Sequence, residues 1–488
     1  MEERKGFGTN FGFLMASVGS AVGLGNIWGF PNKMGASGGF TFLIVYLVLA
    51  VLCGFIVMVS ELALGRKTGK GVVSAYQALS KRFKWVGWLG ILSPFFILFF
   101  YCALGGYCIK YTVLNIGDLF HASFGANALA ETAVANGHSL GAEVFGAFMA
   151  SPTEAIIFGL IFVALTMLIV MGGVSGGIEK VCSVGMPALF VMLLICIIRA
   201  CTLEGAVDGL KYMFVPGWAV ANGVIEEAPN FLTVLSTAGG QMFFSLSLGM
   251  GAMITYGSYL DKKENLQKNA LLIIIMDTLV ALMAGLCVIP GRFALDPTGS
   301  LGGPKLLFVT MQNVFSRMGP IGPIFGILFY LLVVFAAISS SISLLEAVVA
   351  HFVDNARDAG KGDKRKAYAL IAAVAVGVGA MLICADSLGE ASFTPWRLLN
   401  LPAESIRTWN DCWLDFFDML SEGIMMPLGA LMMTLMVGWE LGPDVVKDEC
   451  EASGHAMASY GFYKVCIKYI TPLCMILVLY GQIKEFFF

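Results

Sequence analysis

The stretch GSAVGLGN at residues 19–26, with Pro31 after it, interrupts an otherwise apolar run at residues 11–34. A second such stretch, FSLSLGMG at residues 244–251, lies inside the apolar run 232–257. Glycine costs a helix about 1 kcal/mol per position relative to alanine, so each stretch predicts a break in a helix. Taken alone, either stretch is also compatible with close helix packing through small side chains.

The composition of the whole chain places these interruptions in a membrane protein. Of 488 residues, 58% are hydrophobic and 13% are charged, whereas soluble domains are about 45–50% apolar and about 25% charged. The net charge of -3 gives no reason to expect a nucleic-acid partner. The 12 cysteines lie mostly in apolar runs without a Cys-x-x-Cys pair, and we read them as small buried hydrophobes. The sequence therefore predicts an all-α polytopic membrane protein in contact with the lipid bilayer.

Eleven apolar runs are long enough to cross a bilayer, which takes about 20 residues of helix. Numbered as spans one to eleven, they are 11–34, 40–64, 86–116, 154–172, 178–200, 232–257, 268–290, 322–353, 367–386, 413–438 and 461–485. A cytoplasmic N-terminus puts most of the lysine and arginine inside, whereas the outer segment 118–152 contains neither residue. The positive-inside rule then predicts a cell (inner) membrane protein with its C-terminus outside. We predict one transmembrane domain, 1–488.

The two interrupted spans are the first and the sixth, five spans apart. This spacing predicts two five-helix repeats of opposite orientation, at about 7–200 and about 232–438, with an extra helix at about 461–485. Discontinuous helices at matching places in inverted repeats point to a binding site at the membrane midplane. There, N–H groups of half-helices face an anion while unwound carbonyls face a cation.

Polar side chains inside the spans are the next candidates for function. Asp277 lies in LLIIIMDTLV, and ionisable groups at such depth are costly and usually functional. A bound monovalent metal ion would compensate its charge; a protonated or helix-end aspartate is the alternative. The serines 339–341 in span eight are candidate ligands too, although such hydroxyls often bond back to their own helix. We assign neither Glu61 nor Glu346 to transport chemistry.

Several of these motifs, in order, resemble one family. GSAVGLGNIWGFP at 19–31, ELALGR at 61–66, the stretch 244–251 and the stretch 336–341 are similar to the neurotransmitter:sodium symporter family, over roughly 1–485. The eleven-span length is similar to that of the family's small eleven-helix bacterial amino acid transporters, of the multihydrophobic amino acid transporter type. The resemblance implies a five-plus-five inverted fold with helices 1 and 6 unwound. It also implies sodium-driven uptake of an amino acid or amine, with no enzyme activity and no organic cofactor.

The resemblance implies two sodium sites. The first would use the Ala21 carbonyl, Asn26, Ser245 and Asp277, closed by the substrate's own carboxylate. The second would use the backbone carbonyls of Gly19, Val22 and Ala336 together with the side-chain hydroxyls of Ser339 and Ser340.

The substrate site follows from the same resemblance. The carboxylate would meet the N–H groups near Leu24 and Gly25 and the Tyr101 hydroxyl. The ammonium would meet the carbonyls of Ala21 and Phe244 and the polar atoms of Ser245 and Ser247. The pocket for the substrate side chain would be lined by Ser20, Ile97, Tyr101, Phe244, Met250, Ser340 and Leu344.

The uncharged pocket favours an aliphatic or aromatic L-amino acid. Gly23 stands where amine carriers of the family place an aspartate, so this chain should require a free substrate carboxylate. Met250 is an adaptable wall that suits several side-chain sizes. The resemblance also implies chloride independence, because chloride-independent members of the family provide a negative charge near the sodium site and Asp277 can supply it here. Ala281 stands where some bacterial relatives place a glutamate for this purpose.

The gates depart most from the family pattern. Gly29 replaces the usual outer arginine, so either Lys33 pairs with Asp418 instead, or the outer gate lacks an ion pair. On the inner side, Arg4 and Asp354 match the family's gate pair, with Phe7 and Tyr259 as neighbours.

Two other functions compete with transport. A channel should show a polar-lined pore or a charged ring, which the spans do not suggest. A membrane sensor or intramembrane enzyme is the second rival, but no nucleophile–base pair stands out and the four histidines form no cluster. No oligomeric state is predicted.

Overall fold

The computed structural model describes residues 7–131, 139–300, 302–360, 364–391, 393–398, 400 and 411–487. Within these residues the chain is helical and contains no β-strand. Arg4, assigned from the sequence to the inner gate, lies outside the described residues.

Nine helices in the described part of the chain are long and apolar enough to cross a membrane. They are Phe40–Thr68, Val86–Leu119, Pro152–Met171, Val174–Cys201, Leu266–Leu295, Gly319–Asp358, Arg365–Gly389, Trp413–Leu441 and Tyr460–Lys484. They coincide with spans two to five and seven to eleven. The observed ends lie within five residues of the predicted ones, and most of the differences are extensions, since helix ends project beyond the hydrocarbon layer.

Spans one and six are broken, as their glycine-rich stretches predicted. Span one consists of Asn10–Ala21 and Gly25–Ala36, which are bent by 46° relative to each other. Span six consists of Phe231–Ser245 and Ala252–Gly257, separated by a non-helical segment. In that segment Gly249 and Gly251 have φ of 76° and 73°, a left-handed backbone that glycine adopts without strain. The glycines therefore make the second break possible.

Shorter helices lie in the connections between spans. They are Val72–Leu79, Ala126–Leu129, Leu140–Met149, Ala206–Phe214, Trp218–Ala221, Gly303–Lys305, Met311–Arg317, Pro395–Leu398 and Asp444–Glu451. The helix Ala206–Phe214 packs on span seven, where a Cβ at Gly209 would lie 2.6 Å from the Pro290 Cα.

The outer faces of the spans are apolar and the centre is tightly packed. Span five exposes Val184, Val191, Leu194 and Ile198, of which Val184 is 72% exposed. An exposed apolar helix face of this kind fits a lipid bilayer. In contrast, the broken segments of spans one and six are buried between spans three and eight, so the breaks lie in the interior of the bundle.

Candidate functional site

The break in span one exposes backbone groups to neighbouring side chains. The Leu24 N–H donates to the Tyr101 hydroxyl oxygen at 2.8 Å, and the Gly23 N–H donates to Asn26 Oδ1 at 2.9 Å. A Cβ at Gly23 would lie 2.1 Å from the Tyr101 hydroxyl and 2.2 Å from Ser340 Oγ. Glycine is required at position 23 because no side chain fits between spans three and eight.

A small cavity lies beside this break. The structure brings all seven side chains of the predicted pocket to its wall, together with three residues of the broken segments. The lining residues are Ser20, Ala21, Gly25, Ile97, Tyr101, Phe244, Ser247, Met250, Ser340 and Leu344. None of them is charged. The predicted residues Gly23, Leu24 and Ser245 are not in the wall, but Leu24 is hydrogen-bonded to the lining residue Tyr101, and Gly23 and Ser245 are both hydrogen-bonded to Asn26.

Asn26, Ser245 and Asp277 form a buried polar cluster next to the cavity. The Asn26 side-chain amide donates to Ser245 Oγ at 2.9 Å and to Asp277 Oδ1 at 2.7 Å. The Ser245 hydroxyl donates to Asp277 Oδ2 at 2.9 Å. Asp277 is fully buried, so its carboxylate requires either a positive charge or these donors. The cluster brings together three of the four residues predicted for the first cation site.

Tyr46 belongs to the same cluster and was not predicted from the sequence. Its hydroxyl donates to Asp277 Oδ2 at 3.3 Å and lies 3.4 Å from Ser245 Oγ. It lies in the uniformly apolar stretch FTFLIVYLVL. The only local signal was a hydroxyl in a membrane span, where such a group seeks a partner.

A second cluster consists of neutral oxygens from spans one and eight. Ser340 Oγ lies 3.2 Å from the carbonyl oxygens of both Gly19 and Val22. Ser339 Oγ lies 3.3 Å from the Val22 carbonyl and 2.9 Å from the Ala336 carbonyl. The Ser339 hydroxyl thus does bond back to its own helix, but it also reaches span one. All five residues predicted for the second cation site converge here.

The chemistry of both clusters suits a hard cation. Their donors are carbonyl, hydroxyl, amide and carboxylate oxygens, which bind alkali and alkaline-earth ions. Among the described residues, no group of three or more His, Cys, Asp or Glu side chains could hold a metal ion. A site for a transition metal therefore has no support in this part of the chain.

Hydroxyl groups connect the broken spans behind the cavity. Ser247 Oγ donates to the Ser20 carbonyl at 2.8 Å, and Ser20 Oγ donates to Ser343 Oγ at 2.7 Å. Ser343 then donates to the Ser340 carbonyl at 2.7 Å. Ser343 was missed from the sequence, although it follows Ser340 by almost one helical turn.

Two further buried polar residues support the breaks. Glu61 Oε1 accepts a hydrogen bond from the Gly249 N–H at 2.8 Å. Gln241 Nε2 donates to the Gly25 carbonyl at 2.7 Å. The first contact satisfies a backbone N–H at the break in span six, and the second adds a donor to the Gly25 carbonyl, which also accepts a hydrogen bond from the Phe30 N–H.

The outer ion pair differs from the predicted one. Lys33 Nζ pairs with Glu422, whereas Asp418 was the acid named from the sequence. Asp418 lies one turn earlier in span ten and close enough to interact electrostatically with both residues. Glu422 follows Asp418 by four residues, so both acids lie on the same side of span ten, and Glu422 is the one in contact with Lys33. Gly29 faces Gln241, whose Oε1 would lie 2.9 Å from a Cβ there.

The end of the bundle that the sequence predicts to face the cytoplasm holds several polar and aromatic contacts. Asp354 Oδ2 accepts a hydrogen bond from the Gly71 N–H at 2.8 Å. The Tyr259 hydroxyl donates to Glu346 Oε1 at 2.7 Å, and Arg365 forms an ion pair with Glu346 at 2.6 Å. The Phe7 ring lies 6.3 Å from the Tyr259 ring. Tyr259 and Phe7 are neighbours as expected, while Arg365 was missed because nothing local links it to Glu346.

Comparison with known proteins yields a consistent set of relatives. The profile described as "Sodium:neurotransmitter symporter family" matches residues 4–127 and 154–395. The chain is similar to the uncharacterized sodium-dependent transporter YhdH of Bacillus subtilis, with 31% identity over 485 residues and 96% of each chain covered. It is also similar to an uncharacterized sodium-dependent transporter of Haemophilus influenzae, with 28% identity over 491 residues and 98% of each chain covered.

A solved structure extends the likeness to three dimensions. The crystal structure of MhsT in complex with L-phenylalanine matches with a TM-score of 0.81 and 31% sequence identity. The match covers 98% of this chain and 100% of that one. The inverted-repeat architecture predicted from the two broken spans is confirmed by this likeness.

Proposed function

The chain belongs to the sodium:neurotransmitter symporter family, and from this premise we propose that it takes up hydrophobic L-amino acids together with sodium. As a member of the family it is a multi-pass membrane transporter that uses sodium and carries a small molecule. The proposal concerns the substrate, the two ion sites and the direction of transport.

One observation carries the proposal: an uncharged cavity ends at the hydrogen bond between Leu24 and Tyr101. A substrate carboxylate can accept from both the Leu24 N–H and the Tyr101 hydroxyl, and hydrogen bonds to a charged group are stronger than neutral ones. The lining also offers Ile97, Met250 and Leu344 to an apolar side chain. The relative MhsT was crystallised with L-phenylalanine, which agrees with a substrate of this class.

Sodium supplies the positive charge that the first cluster lacks. We assign the first ion to the Ala21 carbonyl, Asn26, Ser245 and Asp277, where the substrate carboxylate would complete the ligand set. Because one ion would then contact both the protein and the substrate, each stabilises the binding of the other.

The second ion is assigned to the oxygens shared by spans one and eight. Five oxygens with partial negative charge repel one another unless hydroxyl hydrogens or a cation lie between them. A cation would therefore hold the inner half of span one, through Gly19 and Val22, against Ser339 and Ser340. Loss of that ion to the cytoplasm would favour opening on that side, because a ligand shifts an equilibrium toward the state that binds it better.

Chloride independence is part of the proposal. Asp277 places a fixed negative charge beside Tyr46 and Ser245, so no dissolved anion is required to balance the sodium ion. Uptake should therefore be unchanged when gluconate replaces chloride, and a tenfold fall would refute this point.

We further propose that the protein lies in the cell (inner) membrane with a cytoplasmic N-terminus and an outer C-terminus. The distribution of lysine and arginine supports this orientation. The chain 1–488 would then form a single transport domain, with Lys33 and Glu422 at its outer gate and Tyr259 and Asp354 at its inner gate.

A thermal-shift screen of the twenty L-amino acids on the purified protein tests the substrate class. A ligand at 100 times its Kd stabilises the folded state by about 2.7 kcal/mol. We expect aliphatic or aromatic L-amino acids to raise the unfolding temperature in sodium buffer, but not in potassium buffer, with the D-enantiomers as controls. Stabilisation by charged amino acids alone, or equally in potassium, would contradict the proposal.

A further inference from the structure

The cytoplasmic end of span five carries an acid, Glu179, that neither the cation clusters nor the cavity uses. It is the first residue of the helix Glu179–Cys201 and follows the π-helical turn Val174–Ile178. Its Oε2 accepts a hydrogen bond from the Gly8 N–H at 2.8 Å, and its Oε1 accepts one from the Thr9 hydroxyl at 3.0 Å. Both carboxylate oxygens therefore bind the segment that leads into span one.

Thr9 connects this contact to the start of span one. It is the N-cap of the helix Asn10–Ala21, and its Oγ1 accepts a hydrogen bond from the Gly12 N–H at 2.9 Å. The same hydroxyl thus caps the helix and donates to Glu179. A negative charge at a helix N-terminus is also favoured by the helix dipole. Glu179 consequently stabilises the first turn of span one only while span one lies against span five.

Two glycines of span one make this close approach possible. A Cβ at Gly12 would lie 2.0 Å from Glu179 Oε1, and a Cβ at Gly19 would lie 3.2 Å from Cys182 Sγ. Glu179 and Cys182 are three residues apart, on one face of span five. The contact therefore runs from the cytoplasmic end of span one to Gly19, whose carbonyl belongs to the second cation cluster.

We infer that Glu179 is a positioning residue that holds the inner half of span one against span five while the cytoplasmic side is closed. The inference rests on the proposed function, because a transporter must release this contact to open inward. Weakening the contact should raise the population of the inward-open state. It should also weaken the apparent sodium affinity, because Gly19 and Val22 reach the second cluster only in the closed arrangement.

A native cysteine reports on this contact. Cys182 is 1% exposed and lies beneath Gly19, so its rate of alkylation by N-ethylmaleimide measures how often span one moves away. In the full-length Glu179→Gln variant, in sodium buffer, we expect Cys182 to react roughly tenfold faster, as judged by peptide mass spectrometry. An unchanged rate would overturn the inference. Asp358→Asn is the matched control, since this carboxylate is 64% exposed and lies 3.9 Å from Lys70.

A second variant separates the contact from the charge. Gly12→Ala keeps the Glu179 side chain but places a methyl group where its carboxylate lies, so it should also accelerate the alkylation of Cys182. The double variant should react no faster than the faster single variant, because both changes break one contact. Additive accelerations would contradict the inference.

A general loosening of the fold would raise the reactivity of buried cysteines outside this contact as well. Cys102 in span three is also 1% exposed and lies outside the contact, so it should stay unreactive in all variants. Equal acceleration at Cys102 would assign Glu179 a merely structural role. The alkylation rates require no amino acid, so they remain informative even if the proposed substrate class is wrong.

Discussion

The side-chain amide of Asn26 lies 2.7 Å from the carboxylate of Asp277, although 251 residues separate the two in the chain. The contact joins span one, at its break, to the middle of span seven, and Ser245 of span six completes it. Three spans thus meet at one buried negative charge. The proposed sodium ion gives that charge its counter-ion.

Asp277→Ala should abolish sodium-dependent ligand binding while the protein stays folded. The variant loses the only acid of the first cluster, and we expect sodium affinity to fall at least about 100-fold, or about 2.7 kcal/mol. Sodium titrations followed by thermal shift measure this. Asp208→Ala, which removes a carboxylate that is 54% exposed and paired with Lys211 outside the cluster, should behave as the native protein. Unchanged sodium dependence in Asp277→Ala would show that the ion is bound elsewhere.

Asp277→Asn should make transport depend on chloride. The amide preserves the shape of the side chain and removes its charge, so a dissolved anion is needed to balance the sodium ion. We expect uptake by this variant to be at least about tenfold faster in chloride than in gluconate. This ratio corresponds to a free-energy difference of about 1.4 kcal/mol. The native protein is the control. Equal rates in both buffers, with uptake intact, would mean that the charge of Asp277 does not replace an anion.

Gly23→Ala should eliminate substrate binding. The added methyl group would lie 2.1 Å from the Tyr101 hydroxyl and 2.2 Å from Ser340 Oγ, so spans three and eight must separate to admit it. Gly146→Ala is a matched control, because a Cβ there meets nothing within 4 Å. Ligand-induced stabilisation measured for both variants checks the prediction, and native-like binding by Gly23→Ala would contradict the geometry of the site.

Exchanging the charges of Lys33 and Glu422 should reveal an energetic coupling. We expect Lys33→Glu and Glu422→Lys each to slow uptake, and the double exchange to recover part of the loss. Pairs in direct contact typically couple by about 0.5–3 kcal/mol. The exposed pair Lys211 and Asp208 provides the control, since such pairs contribute little. If the two single effects simply add, the pair does not act as an outer gate.

The helix breaks could be predicted from sequence because their cause is local. Glycine and serine in the middle of an apolar run weaken a helix wherever it packs, and the spacing of two such stretches indicated the repeat. All seven residues predicted for the side-chain pocket, from Ser20 to Leu344, line the cavity. They could be named because the resemblance to the family assigns individual positions in addition to the conspicuous motifs.

The remaining contacts depend on tertiary packing that no local pattern shows. Glu422 was missed because it lies four residues after Asp418 on the same side of span ten, and no local pattern shows which of the two acids contacts Lys33. The hydroxyls of Tyr46 and Ser343 form hydrogen bonds with residues of other spans. The residues next to them in the sequence give no sign of these partners. Glu179 reads as an ordinary solvated acid at a helix end, since its partners are a backbone N–H and a threonine far away in the chain.

Accumulation of a hydrophobic L-amino acid in proteoliposomes tests the central claim most directly. With an inward sodium gradient, we predict that the labelled amino acid that gives the largest thermal shift accumulates above its external concentration, and that monensin abolishes the accumulation. Equilibration to the external concentration, independent of the gradient, would indicate a channel. Sodium-dependent binding without any accumulation would indicate a sensor, and either result would contradict sodium-coupled symport.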